Sequence, residues 1–208
     1  MKQWSVKAPD EKLLARLIQE TGLNPFICRI LAGRNILSRN DAENFFNSEE
    51  LSDPFLLADM EKAVEAINSA VEQGEKITVY GDYDCDGVTS TYILFSYLEA
   101  LGAEVDWYIP SREEGYGLNK NAIELLKKKG TSLIITVDNG ISAADEAEYI
   151  YSLGMRLVVT DHHQVPDVLP RAEAVLNPHR RDEVQPKELL PPAQFRTVSE
   201  ARKVRNFP

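Results

Sequence analysis

The stretch Lys76–Leu101, KITVYGDYDCDGVTSTYILFSYLEAL, decides the fold. Ile77–Gly81 is a short apolar run rich in β-branched side chains, the composition of a strand buried on both faces. Aspartates and glycines interrupt it, and Val88–Leu101 then reads as a helix. The unit repeats downstream. Val105–Pro110, Leu133–Val137 and Leu157–Thr160 read as further strands, with Ala174–Leu176 as a fifth. Lys120–Lys129 and Ser142–Leu153 read as the helices between them. Ser142-Ala-Ala-Asp145 places a capping residue three positions before an acid, a helix start. Gly102, Gly130 and Gly154 stand where a left-handed residue closes each helix. Strands and helices alternating at this spacing predict an α/β domain: a doubly wound, mainly parallel sheet with helices on both faces.

Upstream the texture is helical. Leu13, Leu14, Leu17 and Ile18 recur on one helix face, and shorter helices are expected over Pro25–Ala32 and Asp41–Phe46. A longer helix over Asp59–Gln73 carries Met60, Ala63, Val64, Ile67 and Val71 on one stripe and stops at Gly74. Beyond Arg180 lie four of the eleven prolines and no clean periodicity, apart from a short helix expected over Val198–Val204. These textures divide the chain into a helical N-terminal layer over 1–75, an α/β domain over 76–180 and a Pro-rich tail over 181–208.

Composition narrows the class. The 208 residues are 43% hydrophobic, enough for a core, and carry 23 basic against 33 acidic residues, a net charge of −10. That acid excess argues against a generic nucleic-acid coat, but not against an enzyme whose carboxylates hold metal ions. Cys28 and Cys85 form neither a disulfide framework nor a thiolate metal site, which suits a reducing compartment. With no signal peptide and no 18-residue apolar run, a cytoplasmic protein without a membrane span is expected.

In open parallel sheets ligands bind beyond the carboxyl ends of the strands. After the first strand comes Gly81-Asp-Tyr-Asp-Cys-Asp-Gly87, after the third Asp138-Asn-Gly140, and after the fourth Asp161-His-His163. Five aspartates and two of the three histidines therefore converge on one edge. That many carboxylates repel one another unless cations neutralise them. Carboxylates favour hard divalent ions, and imidazole shifts the preference toward Mn²⁺, with Mg²⁺ as substitute. Two such ions can clamp the attacking and leaving oxygens of a phosphoryl transfer. A calcium loop of the D-x-[DN]-x-[DN]-G kind is excluded because Ile93 stands where its glutamate is required. His179, in a Pro-rich turn, reads as a surface residue.

Gly81-Asp-Tyr-Asp-Cys-Asp-Gly-Val-Thr-Ser-Thr91, Val137-Asp-Asn-Gly-Ile141 and Asp161-His-His163 together resemble the DHH phosphoesterase superfamily. Within it, Glu114-Gly-Tyr-Gly-Leu-Asn119 and Leu176-Asn-Pro-His-Arg180 resemble the bacterial RecJ-type single-strand-specific exonucleases. The resemblance covers about residues 4–180. It implies two divalent ions, Mn²⁺ or Mg²⁺, with Asp84 on one, Asp86 and His162 on the other and Asp138 bridging. His163 would contact the scissile phosphate or help the leaving group, Asp161 would orient a histidine ring, and Asp82 would steady the loop. Arg112, Ser90 (or Thr89) and Asn119 fall on the substrate side of the site. Gly81 and Gly87 would permit the tight strand-to-helix turn. The implied reaction is metal-assisted hydrolysis of single-stranded DNA from its 5′ end to mononucleotides, with a single-strand-binding protein or a helicase as a partner.

Two positions depart from the family. Tyr80 stands where many members have a histidine ligand, and the further aspartate beyond Asn-Pro-His-Arg has no match. On sequence, then, the site is expected to remain unclosed and its activity impaired. A DHH phosphoesterase of short oligonucleotides or cyclic dinucleotides, and a non-catalytic metal-binding fragment, are the alternatives.

Overall fold

A computed structural model describes residues 9–47 and 53–180; the Pro-rich tail, with its expected 198–204 helix, lies outside the described residues. The chain divides into two compact units, Met1–Ser52 and Asp53–Pro208. The first unit contains α1 (Glu11–Thr21), α2 (Pro25–Gly33) and α3 (Arg39–Asn47). Asp10 caps α1 by accepting from the Lys12 and Leu13 N–H groups, and Asn24 caps α2 ahead of Pro25. Their apolar stripes meet in a small core of Leu14, Leu17, Cys28, Leu31 and Ala42.

The second unit opens with a 3₁₀ turn at Pro54–Leu56 and continues α4 (Met60–Glu72), β1 (Ile77–Tyr80), α5 (Cys85–Ala100), β2 (Val105–Tyr108), α6 (Lys120–Lys128), β3 (Leu133–Val137), α7 (Ala144–Ser152), β4 (Arg156–Thr160) and β5 (Ala174–Leu176). All strands pair in parallel, in the order β2-β1-β3-β4-β5. The period-2 alternation of each strand feeds two cores. Ile77, Val79, Leu133, Ile135 and Val158 pack with Ala63 and Ala70 of α4 and Leu98 of α5. Tyr80, Ile134, Leu157 and Val159 pack with Ile123 and Leu126 of α6 and Ile150 of α7. Helices thus cover both faces, as the doubly wound pattern requires.

Three expectations change. α4, assigned to the helical layer by the 75/76 division, buries its alanines against the sheet and falls in the unit that begins at Asp53. α5 begins at Cys85 rather than Val88, because the Asp84 carboxylate accepts from the Gly87 N–H at 2.9 Å and caps the helix. The Ser142–Asp145 capping box does not form. A turn closed by the Ala143 N–H on the Gly140 carbonyl carries Ser142 out of the cap position, and α7 starts at Ala144 with no side-chain cap.

The strand order reverses direction between β1 and β3. Loops leaving these two strands must diverge, which opens a crevice at their carboxyl ends.

Candidate metal centre

β4 delivers the best-anchored group. Asp161 is buried, and its Oδ2 accepts from the Ile141 N–H at 2.9 Å. Its Oδ1 accepts from the backbone N–H groups of His162 and His163, at 2.7 and 3.1 Å. The same oxygen lies 2.7 Å from the His163 Nδ1. A carboxylate can only accept there, so Nδ1 carries a proton and Nε2 is the nitrogen that Asp161 does not engage. Burial alone would lower the His163 pKa. The hydrogen bond and charge of Asp161, with Asp138 and Asp84 behind it, outweigh that and raise it above the ordinary imidazole value.

β3 ends in Asp138, a non-glycine residue at φ 62. That left-handed conformation is uncommon outside glycine, and aspartate is among the residues that tolerate it. Its N–H donates to the Thr160 carbonyl at 3.0 Å, and its own carbonyl accepts from the Tyr116 hydroxyl at 2.9 Å. Next to it, buried Asn139 donates to the Tyr80 and Val137 carbonyls and stitches β1 to β3 across the switch point. The Asp138 side chain is nearly buried and its Oδ1 lies 2.8 Å from the His162 Nε2. That oxygen makes no hydrogen bond of normal geometry among the described residues, and the His162 imidazole is the group beside it. A carboxylate oxygen and a ring nitrogen converging in this way are disposed as ligands of a common cation. Ligand atoms of Asp138, His162 and His163 all lie within 4.8 Å of one another.

β1 contributes charge. Asp82 is buried and its Oδ1 lacks a hydrogen-bond partner among the described residues. A Cβ on Gly87 would lie 2.5 Å from the Asp82 carbonyl oxygen, and one on Gly81 would lie 1.9 Å from the Thr91 Oγ1. Both glycines are therefore required, for close approach of α5 to the strand end rather than for unusual dihedrals. Burial first, and then the charge of Asp84, push the Asp138 carboxyl above the usual carboxylate range, while His162 pulls the other way. Asp84 is thus electrostatically part of the cluster. Asp86 stands exposed in the first turn of α5. The buried Asp138 carboxylate oxygen beside two imidazoles fits a divalent cation with oxygen and nitrogen ligands.

The substrate-side residues fare differently. Arg112 is exposed, with its guanidinium 4.8 Å above the Tyr83 ring. Ser90 and Thr89 turn their hydroxyls back to helix carbonyls of Asp86 and its neighbours. Asn119 caps α6 through its Oδ1 and donates through Nδ2 to the Tyr80 hydroxyl, so its amide serves the fold. Tyr80 itself is fully buried and donates to the Gly117 carbonyl at 3.0 Å. Where a histidine would be a ligand, this chain has a strut. His179 is exposed, as expected. Two contributors escaped the sequence reading: Tyr116, and Asn177, which donates to the His163 carbonyl at 3.0 Å. Both lie inside the quoted motifs, and that was their only signal.

Fold and site together define an open α/β domain with a carboxylate–imidazole centre at its switch point. Residues 76–190 match the DHH family, N-terminal domain, and the chain belongs to that family. It is 39% identical over 179 residues to the single-stranded-DNA-specific exonuclease RecJ of Bacillus subtilis (strain 168), covering 85% of this chain and 23% of the relative. The RecJ of Escherichia coli (strain K12) is 38% identical, covering 82% and 30%. Among solved structures, exonuclease RecJ bound to manganese superposes with a TM-score of 0.57 at 36% identity, covering 62% of this chain and 33% of that one. RecJ from Thermus thermophilus in complex with Mn²⁺ gives 0.60 at 25% identity, covering 86% and 25%. The chain spans less than a third of the length of these curated relatives.

Proposed function

We propose that this chain serves a metal-dependent phosphodiesterase of the RecJ type, which hydrolyses single-stranded DNA from its 5′ end to mononucleotides. One observation carries the reading: the nearly buried Asp138 carboxylate converges with the His162 and His163 rings, its Oδ1 2.8 Å from the His162 Nε2 without a hydrogen bond of normal geometry. Asp138 and His162 are assigned as ligands of a divalent cation, Mn²⁺ before Mg²⁺ given the imidazole, and Asp84 and Asp86 as further ligands from the β1 side, enough for two ions. When bound, the cations supply charge neutralisation and activation of a water for attack on phosphorus. Asp161 holds His163 with Nε2 toward the phosphate, where it meets a non-bridging or leaving oxygen. Asp82 steadies the β1 loop from beneath. Arg112, stacked on Tyr83, offers its fork to the phosphate backbone, whereas Ser90 and Asn119 would have to give up bonds within the fold to reach it.

A single-strand-binding protein or a helicase fits as a partner that presents the 5′ end. No helix among the described residues is long and apolar enough to cross a membrane, and a cytoplasmic site of action is proposed with that. The test is Mn²⁺-dependent shortening of a 5′-phosphorylated single strand, followed by release of mononucleotides. Activity is expected to fall below detection in Asp138→Ala. Undiminished activity in that variant, with contamination excluded, contradicts the assignment.

A further inference from the structure

The hydroxyl of Tyr116 is the point at which three strand ends meet. It comes from the loop after β2, donates to the Asp138 carbonyl after β3 at 2.9 Å, and lies 3.2 Å from the His163 Nδ1 after β4. Its ring stands edge-on to the His163 ring, with centroids 5.7 Å apart. Tyr116 is 52% exposed, so the ring is not in place for burial. The backbone is arranged around it instead. Gly115 and Gly117 flank it at φ 91 and 79, with open space where a Cβ would stand, so the chain turns in and out again at this one residue. On one side Glu114 ties the loop to the Tyr108 hydroxyl and the Ser111 N–H. On the other the Gly117 carbonyl is held by Tyr80.

We propose that Tyr116 is a positioning residue for the metal centre. Its O–H donates to the Asp138 carbonyl and fixes that peptide in its left-handed conformation, while its oxygen, a second acceptor beside Asp161 for the one Nδ1–H, limits rotation of the His163 ring. One O–H group thereby sets the direction of a ligand carboxylate and of the imidazole beside it. The proposal rests on the metal reading above, and goes beyond it by making the β2 loop a determinant of ligand geometry. Partners behind the ligands commonly affect metal affinity by 10–100-fold when removed.

Tyr116→Phe isolates the hydroxyl, because the ring and its packing remain. Two measurements on the 208-residue chain test it: Mn²⁺ affinity by titration calorimetry, and ring ¹⁵N–¹H NMR of the metal-free chain. With only three histidines, the NMR spectrum holds three ring systems, and exposed His179 provides the internal reference. The expected result is a Kd for Mn²⁺ raised about 10-fold, with the His163 ring signals shifted and those of His179 unchanged. A Kd within twofold of the wild-type value, or unmoved His163 signals, overturns the proposal. Failure of the metal reading looks different: the wild-type chain would then bind Mn²⁺ no better than Asp138→Ala does.

Discussion

The two halves of the centre are built on different principles. On the β3–β4 side the backbone and the His163 ring are fixed by the protein itself, while the Asp138 carboxylate and the His162 ring face each other. Asp161 accepts three backbone N–H groups and a ring nitrogen, the Asp138 peptide is held at both ends, and His163 is oriented between Asp161 and Tyr116. On the β1 side the backbone is fixed by close approach, Gly87 against Asp82, but the carboxylates are less constrained. Asp84 caps a helix, Asp86 is exposed, and one oxygen of Asp82 is buried without a donor. A preorganised half beside a less constrained one, each holding a buried carboxylate oxygen without a hydrogen bond, is the arrangement expected where a cation completes the site.

That contrast can be broken by mutation of the metal-free chain. Asp161→Ala should have the largest effect, since it leaves three buried backbone donors and the His163 ring without an acceptor. A loss of about 3 kcal/mol is expected in urea denaturation, whereas Asp84→Ala should lose no more than about 1 kcal/mol, the value of a helix cap. Equal losses would mean that the two halves are built alike. Next comes Gly87→Ala, whose methyl meets the Asp82 backbone at 2.5 Å, an atom that cannot swing away. About 2 kcal/mol is expected from such overpacking. Gly74, at φ 63 in open space, provides the control, and Gly74→Ala should lose about 1 kcal/mol.

The smallest effect concerns a pair away from the centre. Asp59, at the start of α4, accepts from the Arg180 Nη1 and the Lys62 Nζ, both at 2.6 Å. Burial raises its pKa, but these two bonds outweigh burial and hold the carboxyl below its ordinary value. A depressed pKa contributes stability that is fully present above the unfolded value and is lost as pH falls through the folded one. Asp59→Asn should therefore destabilise the chain at pH 7 by less than about 1 kcal/mol, given solvent screening. The difference from wild type should vanish in strong acid, and one that persists there would assign the effect to packing.

Much of this was legible in the residues. All five strands and the edge at which their loops converge follow from short β-branched runs and what succeeds them, and Asp138, Asp161, His162 and His163 follow from position alone. The start of α5 was less accessible, because a run of aspartates reads equally as loop or as cap until one carboxylate is seen on the Gly87 N–H. The stripe of α4 reads the same whether it faces other helices or a sheet. Asn119, directly before a helix, had the signature of a cap, and the family resemblance drew attention away from it. Tyr116 had no local signal, since its partners lie 22 and 47 residues away. Tertiary hydrogen bonds of that span leave no spacing pattern.

We propose that the edge between β3 and β4 holds a divalent cation through Asp138 and His162. The most direct test is Mn²⁺ binding to the 208-residue chain by titration calorimetry, beside Asp138→Ala and His162→Ala. Saturable binding that each substitution weakens by about 10-fold or more is the expected result. Binding that neither substitution alters would contradict it.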